Sequence, residues 1–315
     1  MKRLRLMFLV MAVSLLTVPA TAQVPALEAA ALVEFYNSTN GPGWSNSTGW
    51  LGVSGTECSW FGVTCTAGRV TRLFLSANQL SGTLLPELGD LSELTRLILN
   101  SNQLAGILPP ELGDLDALET LVLYGNQFTG AIPPELGSLV NLTALDLHGN
   151  RLSGGIPLEL GYLANLQFLW LQENRLSGSI PSELGDLTSL KSLLLAHNRL
   201  SGNIPAELGD LTTLDTLWLH NNNLTGSLPM ELGYLTGLRY LLLDHNRLNG
   251  DVPSELFNLT ALVDAIGLRL CLNELSTGDK TLSGFLDIKH SDMGSWQNCQ
   301  ALFWDDFESG DTSVW

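Results

Sequence analysis

Eight glutamates recur every 24 residues in this chain of 315 residues, and their regular spacing raises the question of whether they act in chemistry. They are Glu87, Glu111, Glu135, Glu159, Glu183, Glu207, Glu231 and Glu255. Carboxylate rows can bind cations, and paired carboxylates can act as acid and base in hydrolysis, which requires a cleft and a defined separation. Identical glutamates on one outer surface provide neither. We expect them to form a solvated row near the positive ends of short helices.

No sequence signature of an enzyme accompanies these glutamates. The chain contains no G-x-S-x-G nucleophile motif, no H-E-x-x-H zinc motif and no phosphate-binding loop. The sequence therefore predicts a non-enzymatic protein that uses no cofactor and no metal.

The element that positions the glutamates is a repeat marked by asparagines at the same 24-residue spacing. The asparagines are Asn78, Asn102, Asn126, Asn150, Asn174, Asn198, Asn222 and Asn246. A constant period of this length indicates one structural unit stacked many times. In each unit, leucines five and three residues before the asparagine form an L-x-L triplet, which is typical of a short strand with one buried face. We expect each asparagine amide to bind backbone groups where the chain bends after that strand.

The second half of each unit reads G-x-[IL]-P-x-E-L-G. A glycine four residues after the asparagine predicts a turn, and the proline fits the first turn of a short helix. The last glycine, as at Gly161, is expected to end that helix. The first unit departs from the pattern with Leu85 and Pro86, and a degenerate ninth unit begins near Leu268, 27 residues after the eighth.

These motifs resemble leucine-rich repeat proteins of the plant-type, 24-residue class, over roughly residues 24–300. The resemblance includes an N-terminal cap with a helix over 27–36, Trp44, Trp50 and the segment 58–65. It implies an α/β solenoid, a curved leucine-rich repeat superhelix with a concave parallel β-sheet, short convex helical turns and disulfide-stapled caps. Relatives of this class include receptor ectodomains, polygalacturonase-inhibitor-like proteins and secreted bacterial proteins.

The four cysteines indicate an oxidising compartment. Cys58 and Cys65 flank Trp60 of the N-terminal cap, while Cys271 and Cys299 lie in the last repeat and the C-terminal cap. We expect each pair to form a disulfide that closes one end of the core. Metal binding is the alternative, but neither pair has a second pair of ligands nearby.

Composition divides the chain into five segments and restricts its partners. We expect a signal peptide at 1–22, a cap at 23–68, eight repeats at 69–262, a ninth repeat with a C-terminal cap at 263–300, and an acidic tail at 301–315. The tail resembles short F-E-S-G-D ends of secreted bacterial proteins and favours a bacterial source. No segment suggests a transmembrane span, so the protein is expected to be secreted or at the cell surface. Its net charge of −17 weighs against nucleic acid and anionic membranes.

The candidate binding site follows from strand alternation, which points the residues six, four and two positions before each asparagine out of the concave sheet. Trp170 and Trp218 stand two strands apart, about 10 Å, with Leu194 between them. Flat indole faces with polar neighbours suit sugar rings or the hydrophobic anchors of a protein. The predicted site comprises Tyr124, Asp146, His148, Phe168, Trp170, Gln172, Leu194, Trp218, His220, Tyr240 and Asp244.

We therefore expect a recognition protein that binds an extracellular protein, peptide or glycan on its concave face. Aromatic residues also favour strands without binding anything, which is the structural alternative. Two other functions stay open: inhibition of an extracellular hydrolase, and a structural or adhesive role at the cell surface. On adjacent strands, His220 and Asp244 are expected to pair, which would raise the histidine pKa and make binding depend on pH.

Overall fold

The structure of the protein is a computed structural model that describes residues 23–263 and 267–277. Within them, one α-helix, α1 (Ala26–Ser38), is followed by strands that we number β1 to β19 in chain order. The strands alternate between two surfaces of a solenoid, and short 3-10 helices form its convex side. This arrangement confirms the α/β solenoid expected from the repeat.

The concave sheet has ten strands, and nine of them come from the L-x-L triplets or their equivalents. They are β1 (Val63–Thr66), β2 (Arg69–Phe74), β4 (Arg96–Ile98), β6 (Thr120–Val122), β8 (Ala144–Asp146), β10 (Phe168–Trp170), β12 (Ser192–Leu194), β14 (Thr216–Trp218), β16 (Tyr240–Leu242) and β18 (Leu268–Arg269). The cap strand β1 is antiparallel to β2, and all later pairs are parallel. Parallel pairing in register places equivalent residues of successive repeats side by side.

A second set of parallel strands follows the asparagines, and the sequence did not predict it. Three strands form one sheet, β3 (Ser81–Thr83), β5 (Gln103–Gly106) and β7 (Gln127–Phe128). Six form another, β9 (Ser153–Gly154), β11 (Arg175–Gly178), β13 (Arg199–Gly202), β15 (Asn223–Gly226), β17 (Arg247–Asp251) and β19 (Glu274–Ser276). We call the six-strand sheet the lateral sheet. Four of its strands, β9, β11, β13 and β15, end at the repeat glycine, which has a positive φ such as 80° at Gly178.

The convex side consists of one 3-10 helix per repeat, and each carries its glutamate in the first turn. The helices span Pro86–Asp90, Pro110–Asp114, Pro134–Ser138, Leu158–Tyr162, Ser182–Asp186, Ala206–Asp210, Met230–Tyr234 and Ser254–Asn258. The repeat proline is not inside the first turn as predicted, because its extended backbone (ψ 135° at Pro181) places it just before the helix.

The last glycine of the repeat does not end the helix, so that prediction was wrong. Gly161 is the fourth residue of the helix Leu158–Tyr162, and its φ is not positive. A Cβ at Gly161 would lie 2.4 Å from the carbonyl oxygen of Glu183 in the next repeat. The position needs glycine because successive 3-10 helices stack in close contact.

The asparagines form a continuous ladder inside the bend after each concave strand. Asn174 accepts a hydrogen bond from the backbone N–H of Leu152 at 3.0 Å. Its amide nitrogen donates to the carbonyl oxygens of Leu147 at 3.0 Å and Leu171 at 3.2 Å. One side chain therefore connects two repeats, as predicted, and the same contacts recur along the array.

The N-terminal cap closes one end of this core. Cys58 and Cys65 form the predicted disulfide, with Cα atoms 5.4 Å apart. Aromatic rings from α1 and the following loops pack together, including Tyr36 stacked on Trp50 at 5.7 Å. The carboxylate of Glu28, 1% exposed, accepts a hydrogen bond from Val70 N–H at 2.8 Å and binds Arg69, which fixes α1 to the first repeat.

At the other end, the degenerate ninth repeat continues the ladder. Asn273 accepts a hydrogen bond from Leu248 N–H at 3.0 Å and donates to Leu243 at 2.9 Å. Cys271 is buried, but Cys299 lies outside the described residues, so their pairing stays a prediction. The predicted signal peptide (1–22) and acidic tail (301–315) also lie outside the described part of the chain.

Candidate binding surface on the concave sheet

The centre of the concave sheet is a row of outward side chains from five parallel strands. Asp146, Trp170, Leu194, Trp218 and Leu242 are paired in register across β8, β10, β12, β14 and β16. Between them, the leucines of each strand point inward and are fully buried. The predicted alternation is therefore present, and it places Trp170 on one side of Leu194 and Trp218 on the other.

The outward position does not make every predicted site residue accessible. Phe168, Trp170, Trp218, Tyr124, His148, Gln172 and Tyr240 are partly exposed. Leu194, Asp146, His220 and Asp244 are buried, at 7%, 3%, 7% and 0% exposure. Strands about 4.8 Å apart bring large outward side chains over their neighbours, which removes the smaller ones from solvent. The expectation that all eleven face solvent was wrong for these four.

The two indoles border an apolar floor made by Leu194 and Ala196, which is 1% exposed. The indole N–H of Trp170 donates to the hydroxyl oxygen of Ser192 at 3.0 Å, which orients the ring on the next strand. Phe168 packs edge-on against Trp170 with ring centres 5.9 Å apart. These contacts hold the aromatic surface in place before any ligand arrives.

A polar cluster lies on one side of the aromatic row. The buried carboxylate of Asp146 accepts hydrogen bonds from the His148 backbone N–H at 3.2 Å and pairs with its ring Nδ1 at 2.6 Å. The ring of Tyr124 stacks on His148 with centres 4.4 Å apart and 12° between the planes. The exposed edge of this cluster is therefore a fixed phenol and imidazole pair.

A second polar cluster lies on the other side and centres on Asp244. Its Oδ2 pairs with the ring Nδ1 of His245 at 2.8 Å and with the guanidinium of Arg269 at 3.2 Å. Burial alone would raise the pKa of Asp244, but the hydrogen bond from His245 and the charge of Arg269 outweigh it and hold the pKa below its usual value. Asp244 is therefore a buried anion that links the last two described strands of the concave sheet, β16 and β18.

His220 does not gain a raised pKa from Asp244, so the predicted effect of that pair was wrong. Burial lowers the pKa of His220 to about 4, although the charge of Asp244 acts in the opposite direction. Burial likewise lowers the pKa of His197, whose ring lies 5.1 Å from that of His220, to about 4. Both rings are neutral at pH 7, so neither adds a positive charge beside Trp218.

Several residues of this surface were missed by the sequence reasoning. Arg269 and His245 bind Asp244, Ser192 orients Trp170, and the guanidinium of Arg239 lies 5.6 Å from the ring centre of Tyr240. Adjacency along the chain was a usable signal for His245 and Arg239. Ser192 and Arg269 required the register of the sheet, since each acts on a residue of the previous strand.

The arrangement suits recognition of an extended ligand. An apolar floor with aromatic borders can bury hydrophobic groups, and the polar clusters at its two sides offer hydrogen-bond partners. From the strand of Tyr124 to the strand of Tyr240 there are five strand intervals, about 24 Å. This length matches about seven residues of extended peptide.

Models of known families match most of the described chain. Leucine rich repeat models match residues 92–152 and, in four successive units, 165–187, 189–211, 213–235 and 237–259. A leucine rich repeat N-terminal domain model matches residues 25–66.

Similar solved structures include plant receptor ectodomains. The leucine-rich repeat ectodomain of the Arabidopsis thaliana membrane receptor kinase GASSHO1/SCHENGEN3, in complex with CASPARIAN STRIP INTEGRITY FACTOR 2, is 37% identical with a TM-score of 0.64. The match covers 78% of this chain and 32% of that one. The Arabidopsis receptor kinase HAESA ectodomain, in complex with the peptide hormone IDA, is 29% identical with a TM-score of 0.58, over 79% of this chain and 49% of that one.

A third similar structure shows that the architecture is not confined to receptor kinases. A plant ice-binding protein is 25% identical with a TM-score of 0.58, and the match covers 81% of this chain and 96% of that one. This chain spans about a third to a half of the two receptor ectodomains. The bacterial source suggested by the tail finds no support in these plant structures. Within the described residues, no helix has the length and apolar character needed to cross a bilayer.

Proposed function

The chain belongs to the leucine-rich repeat family, and we propose that it is an extracellular recognition protein that binds an extended peptide along its concave sheet. The observation that carries this proposal is the row of Trp170, Leu194 and Trp218, paired in register and bordered by fixed polar clusters. Two similar ectodomains are described in complexes, one of them with a peptide hormone. The disulfide Cys58–Cys65 is consistent with an extracellular location.

The physical basis is the low cost of binding to a surface that is already formed. Trp170 is held by Ser192 and Phe168, so its ring loses little freedom when a ligand covers it. An apolar peptide side chain between the two indoles would bury their remaining exposed area and that of Leu194. Aromatic anchors of this kind commonly account for much of a binding free energy.

The neutral state of the histidines beside Trp218 also favours binding of an apolar part of a peptide there. Because burial holds the pKa of His197 and His220 at about 4, the surface around the second indole carries no histidine charge at neutral pH. The charged groups lie at the two sides, in the clusters of Asp146 and Asp244. We therefore expect ligands with an apolar centre and polar or charged ends.

The test is selection of a random displayed peptide library of about 12 residues on the purified protein, in parallel with a glycan array. Trp170→Ala/Trp218→Ala is the test variant. Phe74→Ala/Ile98→Ala is the matched control, because both residues occupy the same outward column at the first strands of the sheet and are partly exposed. We expect enriched peptides to lose at least about tenfold in affinity with the test variant, the cost of one anchor, and little with the control.

Three results would contradict the proposal. Selected peptides that bind the tryptophan variant as well as the natural protein would move recognition away from this surface. Glycan binding that depends on the tryptophans, without peptide enrichment, would change the ligand class. No binding by a folded protein in either screen would favour a structural role.

A further inference from the structure

Three strands of the lateral sheet begin with an arginine, and a fourth arginine lies two residues before another of its strands, β9. The concave site uses none of them. Four of the fifteen lysines and arginines of the chain occupy one position of the repeat, the residue directly after the ladder asparagine. They are Arg151, Arg175, Arg199 and Arg247, and Asn223 takes the position between the last two. We call these four residues the arginine row.

The backbone points the arginine row outward. Each arginine precedes a fully buried leucine, such as Leu176 after Arg175, so alternation along the strand places the arginine on the solvent side. All four arginines are exposed. Arg175, Arg199 and Arg247 pair across the sheet with Ser153, Ser177 and Thr225 of the preceding strand. The outer surface therefore alternates guanidinium and hydroxyl groups from strand to strand.

The arginine row is not explained by partners within the protein. In residues 23–263 and 267–277, none of its four members forms an ion pair, whereas Arg69, Arg239 and Arg269 each do. Cations on neighbouring repeats repel one another, so the row itself costs free energy. Its concentration on one sheet of a chain with net charge −17 indicates an anionic partner.

The regular step of the row indicates the form of that partner. From Arg151 to Arg247 there are four repeat intervals, about 19 Å along the solenoid. A guanidinium binds carboxylate or sulfate through two parallel hydrogen bonds, and a row of them fits anions that recur at constant intervals. The serine and threonine hydroxyls between the arginines are suited to the hydroxyl groups of sugars. We propose that the arginine row binds a linear polysaccharide with regularly spaced carboxylate or sulfate groups.

The chain offers its own matched substitutions for the test. Glutamine occupies the same repeat position in the first three units, at Gln79, Gln103 and Gln127, so the fold accepts it there. Arg151→Gln/Arg175→Gln/Arg199→Gln removes most of the row. Gln79→Arg/Gln103→Arg/Gln127→Arg extends it towards the N-terminus. Arg72→Gln/Arg96→Gln removes charge from the concave sheet instead and serves as the control.

Binding is measured by calorimetry with alginate, dextran sulfate, a single-stranded oligonucleotide and neutral dextran, and self-association is measured by analytical ultracentrifugation. Each titration is run at about 0.1 M and at about 1 M salt. The higher concentration shortens the electrostatic screening length from about 10 Å to about 3 Å and should weaken binding that depends on charge. We expect one charged polymer or both to bind at low salt and dextran not to bind. The arginine-to-glutamine variant should lose about tenfold or more in affinity, the extended variant should gain, and the control should change little. Alginate against dextran sulfate separates carboxylate from sulfate recognition.

Four outcomes would overturn the proposal. In the first, neither charged polymer binds; in the second, the arginine-to-glutamine variant binds as well as the natural protein. In the third, an oligonucleotide binds as tightly as the polysaccharides. In the fourth, the protein self-associates through the arginines without any polysaccharide. The last would assign the row to the acidic surface of a second copy. Trp170→Ala/Trp218→Ala should leave polysaccharide binding unchanged, so this result and that of the peptide test are independent.

Discussion

Asn174 and Gln172 lie two residues apart after the same concave strand, yet they represent two different regions of the molecule. Asn174 belongs to the buried ladder, where the asparagines from Asn102 to Asn246 make equivalent backbone contacts in each repeat. Gln172 belongs to an outward column whose other members include Tyr124, His148 and Asp244. The ladder repeats because each bend has the same unpaired backbone groups, while the outward column varies because no backbone group depends on it.

This difference indicates where stability and recognition are located. A substitution in the ladder removes hydrogen bonds that join two repeats, and water cannot replace them in the buried bend. A substitution on the concave face mostly removes contacts between neighbouring side chains; the bond from the His148 N–H to Asp146 is a local exception within one repeat. Since stability of a solenoid depends on contacts between successive repeats, the concave face is free to differ from strand to strand.

The largest expected effect tests the ladder directly. Asn174→Ala leaves the N–H of Leu152 without its side-chain partner. The carbonyls of Leu147 and Leu171 each lose one of two amide donors and keep the other, from Asn150 and Asn198. An unpaired buried group costs about 1 to 3 kcal/mol and each lost hydrogen bond about 1 kcal/mol, so we expect the free energy of unfolding to fall by about 3 kcal/mol. Urea unfolding followed by circular dichroism measures it. Gln172→Ala is the control and should change stability by less than about 0.5 kcal/mol, as at most surface sites; equal losses would remove the distinction between the two regions.

The next effect concerns the convex side, where the stacking of helices imposes its own repetition. A Cβ at Gly185 would lie 2.4 Å from the carbonyl oxygen of Glu207. Gly185→Ala therefore forces two repeats apart, and we expect a loss of about 2 kcal/mol in the same assay, typical of overpacking.

Gly237→Ala provides the control for this substitution. An added Cβ at Gly237 meets no atom within 4 Å, and alanine occupies the same repeat position at Ala117 and Ala261. We expect unchanged or slightly higher stability. A destabilisation of Gly237→Ala as large as that of Gly185→Ala would show that the close approach to Glu207 is not the cause.

The third effect concerns a concave residue that behaves like a core residue. Burial lowers the pKa of His220 to about 4 from the usual 6.5, with His197, Asp244, His245 and Arg269 as its charged or titratable neighbours. Its neutral form is favoured in the folded state, so stability is complete above pH 6.5 and is lost as pH falls towards 4. A shift of this size corresponds to a loss of about 1.5 kcal/mol between pH 7.5 and pH 5.5.

His220→Gln separates this histidine from the others, and glutamine occupies the same column at Gln172. Urea unfolding at the two pH values should show a smaller decrease in the variant than in the natural protein. Equal decreases would mean that His220 takes up its proton as readily in the folded state as in the unfolded chain. Asp244 does not affect this window, because its lowered pKa lies below the usual value for aspartate.

The repeat made much of the fold predictable, for reasons that differ between elements. The leucine columns, the ladder and the turn glycine follow from local chemistry that each unit must satisfy. The lateral sheet was not predicted, since strands such as Ser153–Gly154 are too short to give a pattern and pair with an offset between repeats. The glycine before two ladder asparagines, at Gly125 and Gly149, was an overlooked signal: that position has positive φ even where Glu173 holds it.

The sequence predicted which side chains point out of the concave sheet, but not which of them are accessible to solvent. Alternation correctly placed Leu194 and Asp146 on the outward side of their strands. Their burial depends on the size of the residues on adjacent strands, here Trp170 and Trp218, and on hydrogen bonds such as the one from His148. Such contacts arise only when the register is known, which explains why Ser192 and Arg269 were missed.

The smallest expected effect sharpens the comparison at Tyr124 and Asn126, which have the same spacing as Gln172 and Asn174. Tyr124→Ala removes the ring stacked on His148 but leaves the ladder intact, and we expect a loss of about 1 kcal/mol, near that of an aromatic pair. Asn126→Ala should lose about as much as Asn174→Ala. If Tyr124→Ala were as costly as Asn126→Ala, the stacked pair would serve stability. A small loss, together with lower affinity for selected peptides, would place the stacked pair in the recognition surface.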